Sequence, residues 1–225
     1  MSYSGYIFDV EGTLVDSVPQ ALLSLQEALA EFGTIVPYEL LQLYSGLDGN
    51  QTLQLVVPEL RADQRNKVLE SKGKIYEAKY LGSVKAFNGV RDVFEALIKR
   101  GGRIALATDC KGPELKCYRS LMNVDDLIDS TACGDDVEHG KPDPRLVGLA
   151  LRKLGVSAAE AVMIGDTPYD AEAALGASTS AVGVLTGGFS REALMEAGCF
   201  AVAKQLQELP RCLGSSPPGR VAEAG

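Results

Sequence analysis

Asp9 and Glu11 stand two residues apart, directly after the apolar run Tyr6-Ile-Phe8 and just before the pair Gly12-Thr13. An apolar run that breaks into a Gly-Thr turn reads as a short buried strand ending at a ligand crevice, the usual place for chemistry in an open α/β sheet. Two acids at such an end can divide the roles of nucleophile and general acid/base, which suits attack on phosphorus by an aspartate. Alone, the string is ambiguous, because Asp and Gly also end strands for turn reasons.

Three later segments sharpen the reading. Arg103-Ile-Ala-Leu-Ala-Thr108-Asp109 is a second apolar strand ending in a hydroxyl and an acid, and Gly140-Lys141-Pro142 sets a lysine in a loop. Val162-Met-Ile-Gly-Asp166-Thr-Pro-Tyr-Asp170 is a third strand, ending in two acids. These four motifs, in this order from Tyr6 to about Leu209, resemble the haloacid dehalogenase superfamily of phosphohydrolases.

The resemblance implies a set of roles. Asp9 would attack phosphorus and form an aspartyl-phosphate; Glu11 would protonate the leaving oxygen and then activate water. Thr108 would offer its hydroxyl to the phosphoryl oxygens, with Asp109 beside it among the substrate-binding residues, and Lys141 would supply compact positive charge. Mg²⁺, which takes an octahedral oxygen shell with few protein ligands, would be held by Asp9 and Asp166 and by Glu11 through its backbone carbonyl, while Asp170 would hold a metal-bound water or pair with Lys141. Glu11 is a departure: phosphatase members usually carry Asp there, although enolase-phosphatase-type members carry Glu.

The elements between these motifs must position them. Ser17 to Gly33, Pro37 to Gly46, Leu53 to Val57 and Asp63 to Gly82 carry apolar residues at helical spacing, with no strand among them. From Gly89 onward the pattern alternates: helix to Lys99, strand 103–108, helix 113–122, strand 130–133, helix 144–154, strand 161–164, helix 169–175, strand 179–184, helix 191–197 and strand 200–202. Such alternation predicts an α/β fold, a Rossmann-like parallel sheet core with an inserted α-helical cap. The expected division is 1–15 and 85–210 for the core, 16–84 for the cap and 211–225 for a mobile tail rich in Gly, Ser and Pro. The turn Gly46-Leu47-Asp48-Gly49-Asn50-Gln51 resembles the loop with which such caps touch the leaving group. It holds no Lys or Arg, so either the substrate lacks a second anionic group or that group is met from elsewhere in the cap, for example by Lys72, Lys79 or Lys85. Such lysines more often form a solvated helix face.

Composition bounds the rest. With 225 residues and 46% hydrophobic content the chain can bury a substantial core. A net charge of −8 with dispersed basic residues disfavours nucleic acid, and agrees with a metal-assisted phosphate site. Neither a signal peptide nor a membrane span is expected, which points to the cytoplasm, as monomer or homodimer. Five cysteines without metal-ligand spacing read as reduced thiols, and the single His139 leaves no His-rich site. The function expected is a Mg²⁺-dependent phosphatase of a small phosphorylated metabolite. The alternatives are a phosphosugar mutase of the same fold, or a binding or regulatory homologue whose catalysis Glu11 has weakened.

Overall fold

The computed structural model describes residues 3–214. Strand β1 (Gly5–Phe8) lies at the centre of a six-stranded parallel sheet and is buried along its length. With β4 (Arg103–Ala107), β5 (Ser130–Ala132), β6 (Ala161–Gly165), β7 (Ser180–Val184) and β8 (Ala201–Ala203) it gives the order β5-β4-β1-β6-β7-β8. All neighbours run parallel, with Phe8 opposite Leu106 on one side and Ile164 on the other.

A sheet covered on both faces needs apolar side chains in both directions, which is why its strands are apolar throughout. Tyr6, Phe8, Ile104, Leu106, Val162 and Ile164 enter one core with Phe94 and Leu97 of α5 (Val90–Ile98) and Tyr118 of α6 (Gly112–Met122). Ile7, Ala105 and Met163 enter the other core. There they meet Leu146, Val147 and Ala150 of α7 (Arg145–Leu154), together with the alanines of α8 (Pro168–Gly176). The helix α9 (Arg191–Glu196) precedes β8.

Between β1 and β4 the chain leaves the sheet. A two-residue antiparallel pair, β2 (Val15–Asp16) with β3 (Lys85–Ala86), closes the base of a helical insertion. The insertion comprises α1 (Val18–Glu31), α2 (Tyr38–Leu43), α3 (Gly49–Val56) and α4 (Ala62–Ile75), followed by a π-turn (Tyr76–Tyr80) and a 3₁₀ turn (Leu81–Ser83). Leu25, Leu29, Leu41, Leu53 and Val68 form its own apolar cluster, separate from the two sheet cores.

Two local expectations are corrected. The third helix begins at Gly49 rather than near Leu53, because the Asp48 carboxylate accepts the N–H groups of Asn50 and Gln51 and caps it. The segment from Arg211, expected to be unpacked, begins inside α10 (Leu209–Cys212), and Leu213 is buried against the main core. The remainder of the expected tail, 215–225, lies outside the described residues.

Candidate active site

Chain order explains where the site sits. From β1 the chain fills β4 and β5 on one side of the sheet, then crosses back to fill β6, β7 and β8 on the other. The carboxyl ends of β4, β1 and β6 therefore flank a topological switch point, where an open α/β sheet leaves a crevice. Asp9, Asp109 and Asp166 follow those ends, and with Glu11, Lys141 and Asp170 they line a cavity of about 130 Å³.

Lys141 is the hub. Its buried ammonium lies 2.5 Å from Asp9 Oδ1 and 2.6 Å from Asp170 Oδ1, with Asp109 Oδ2 at 3.9 Å. Burial opposes its charge, but Asp170, Asp9 and Asp109 outweigh that cost and hold its pKa well above the ordinary lysine value. The Asp109 carboxylate also accepts the Lys141 backbone N–H, which fixes the loop. Burial pushes the Asp9 carboxyl up to about 7, against the opposing pull of Lys141.

Asp170 is held at both ends. While Oδ1 meets Lys141, Oδ2 accepts the N–H and hydroxyl of Thr167, and Thr167 Oγ1 in turn accepts the Asp170 N–H to start α8. Asp166 differs. Thr13 donates to its Oδ1 at 2.6 Å, but its buried Oδ2 has no hydrogen-bond partner. Burial, then Asp170 and Asp9, raise its pKa well above the usual carboxylate value.

This donor set can be tested against a divalent cation. Asp9, Asp166 and Asp170 each offer a carboxylate oxygen, all within 4.8 Å of one another. Four buried or half-buried carboxylates face one ammonium, leaving a deficit of positive charge, and the unpartnered Asp166 oxygen is the atom a cation would relieve. Space around that oxygen is kept by glycine. A Cβ at Gly187 would lie 1.6 Å from Asp166 Oδ2, and one at Gly12, whose φ is +77°, would lie 2.4 Å away. The residues fit a hard cation with oxygen ligands.

Glu11 is set apart from that cluster. Its half-buried side chain meets Tyr118 of α6, whose Oη lies 3.3 Å from Glu11 Oε1. Loss of water around it, then the nearby Glu114, push its pKa up to about 8. The structure thus brings Asp9, Asp109, Lys141, Asp166 and Asp170 together and leaves the Glu11 carboxyl outside the acid cluster. Thr108 is fully buried and not among the cavity's lining residues; its Oγ1 accepts the Cys110 N–H.

The expected contact loop divides. Gly46, Leu47 and Gly49 line the cavity, whereas Asp48, Asn50 and Gln51 do not, since Asp48 is turned back to cap α3 and the other two lie in its first turn. Of the three lysines expected as possible partners of an anionic group, Lys72 on α4 lines the cavity; Lys79 pairs with Glu27 and Lys85 sits in β3. Sequence reasoning missed Thr13 and Gly187 beside Asp166, and Tyr118 beside Glu11. The Gly12-Thr13 pair was a signal for the first; nothing local marks Tyr118.

A parallel sheet with an acid-lysine centre at its switch point defines the class, and the sequence agrees. The profile of the haloacid dehalogenase-like hydrolases matches residues 6–184, and the chain belongs to that family of enzymes. It is similar to a phosphoglycolate phosphatase from Rhodospirillum rubrum, 30% identical across 95% of this chain and 92% of that protein. A phosphorylated carbohydrates phosphatase from Thermotoga maritima is 26% identical across 88% of this chain and 93% of its own. The crystal structure of a hydrolase from Pseudomonas syringae, 28% identical, covers 94% of this chain and 98% of that one with a TM-score of 0.87.

Proposed function

We propose that this enzyme is a Mg²⁺-dependent phosphatase of a compact phosphomonoester, working through an aspartyl-phosphate on Asp9. The observation that carries the reading is the buried Asp9–Lys141–Asp170 chain beside the unpartnered Asp166 oxygen at the switch-point crevice. Lys141 orients the Asp9 carboxylate and faces the space a phosphoryl group would enter, where its charge offsets that of the transferring group. An Asp9 oxygen attacks phosphorus, the bond from phosphorus to the ester oxygen breaks, and Glu11 gives its proton to that oxygen. Water then attacks the aspartyl-phosphate, Glu11 takes its proton, and the bond from phosphorus to Asp9 breaks to release inorganic phosphate. Asp9 and Asp166 would hold Mg²⁺, which would supply the charge that keeps these acids ionised beside an anionic substrate.

The helical insertion, roughly 16–84, acts as a cap over the core 1–15 and 85–210 in this reading. Its side of the cavity includes the apolar Val18, Ala21, Leu22, Leu25 and Leu69, the polar Tyr44, Ser45 and Thr52, and one cation, Lys72. A cavity of about 130 Å³ suits a short leaving group, and Lys72 would meet a carboxylate on it. Similarity to the Rhodospirillum phosphatase supports a glycolate-like ester. The test is a phosphoester panel with and without Mg²⁺. Phosphate release that is abolished by chelator and by Asp9→Asn, and a KM for carboxylate-bearing esters that Lys72→Gln raises selectively, are expected. Turnover by Asp9→Asn above about a hundredth of the wild-type rate would overturn covalent attack.

A further inference from the structure

Glu11 is held by a hydrogen-bond group that spans the core and the insertion. Tyr118 Oη, fully buried on α6, lies 3.3 Å from Glu11 Oε1, 3.0 Å from Glu114 Oε1 one helical turn back, and 2.6 Å from Tyr76 Oη. Tyr76 belongs to the insertion, at the π-turn that follows α4. A phenol has one proton to give and two acceptor positions. Tyr76 can donate to one acceptor position and the Tyr118 proton is shared between Glu11 and Glu114, so a protonated Glu11 carboxyl can equally donate to the remaining acceptor position. Among the described residues, Tyr118 is the hydrogen-bond partner of the Glu11 carboxyl.

That arrangement matters because Glu11 has a longer, freer stem than the aspartate expected at its position. A carboxyl on two methylenes samples more rotamers, and proton transfer to a leaving oxygen falls steeply when the acid is misplaced by an ångström. We propose that Tyr118 is a positioning residue, which fixes the Glu11 carboxyl toward the leaving group and is itself fixed by Tyr76 when the helical insertion rests on the core. The proposal rests on Glu11 as the acid/base of the reading above. Tyr118 does not touch the reacting atoms; it narrows where Glu11 can be. Tyr76, reaching in from the insertion, completes the hold only in the seated arrangement.

The experiment compares two substrates, an alkyl phosphomonoester with a poor leaving group and an activated aryl phosphate, in the full chain with Mg²⁺. Tyr118→Phe keeps the ring and removes the hydroxyl. It is expected to lower kcat for the alkyl ester by about tenfold or more with KM little changed, and to alter the aryl phosphate by less than about twofold. Tyr76→Phe should act in the same direction with a smaller effect. Glu11→Gln with Tyr118→Phe should be no slower than Glu11→Gln alone, because one residue acts through the other. Equal losses on both substrates, or no loss, while Glu11→Gln keeps its selective loss on the alkyl ester, would overturn the role of Tyr118. A flat response of both esters to Glu11→Gln would instead remove the acid/base assignment, and this proposal with it.

Discussion

At the scale of residues the site is a problem of charge. Glu11 and Asp166 both sit where burial disfavours ionisation, yet they are met differently: Glu11 by a phenol, Asp166 by Thr13 on one oxygen and nothing on the other. If Glu11 is the proton carrier, Glu11→Gln is expected to slow poor leaving groups by about 10² to 10⁴ and an activated aryl phosphate far less, as steady-state rates on the two esters would show. Asp166→Asn keeps an acceptor for Thr13 and removes a buried charge. Its Tm without metal should therefore rise, by about 2–4 °C for each kcal/mol recovered, while the Mg²⁺-induced rise in Tm seen for the parent is lost. Thermal melts with and without Mg²⁺ decide this, and a retained metal shift would place the ion elsewhere.

At the scale of elements, the start of α3 shows a side chain committed to structure where a ligand contact is expected. Asp48 accepts two backbone N–H groups at the helix end, a pattern whose loss by alanine substitution costs about 1 kcal/mol. Asp48→Ala is expected to lower the unfolding free energy read from urea titration by that amount, with a correspondingly lower midpoint, and to leave KM for a phosphomonoester within about twofold. A large KM change with unchanged stability would return Asp48 to the substrate. The same reasoning covers Asp170, whose capping of α8 through Thr167 and pairing with Lys141 tie the helix to the hub.

At the scale of the whole molecule, the parallel sheet gathers residues far apart in sequence at one edge, and the insertion closes over them from the side. Lys72 and Tyr76 on consecutive turns of the insertion reach the cavity and the Glu11 partner respectively. The chain end is part of the core rather than an appendage up to Leu213, which packs with Leu206 and Leu209. Ending the chain at Arg211 removes a buried leucine worth about 1.5–3 kcal/mol, so the Tm should fall. An unchanged melt would show that Leu213 contributes nothing in solution.

The strand-end acids, the parallel α/β alternation and the helical run between the first two sheet strands are all legible in the chain's residue order. These depend on local periodicity and on residue types that punctuate strands, as at Asp9, Asp109 and Asp166. Tertiary structure decided which groups share hydrogen bonds. Whether Asp48 faces a ligand or its own helix depends on where α3 starts, and that start is fixed by a backbone turn that helical spacing does not register. Tyr118 lies 107 positions from Glu11 and in sequence is an ordinary core aromatic; only the packing of α6 against β3, at the base of the insertion, brings its hydroxyl to that carboxyl. Lys72 likewise cannot be told from Lys79 or Lys85 as the partner of an anionic group until α4 is laid across the cavity. Periodicity reports which face of an element is buried, and burial on a face does not say which distant side chain it will meet.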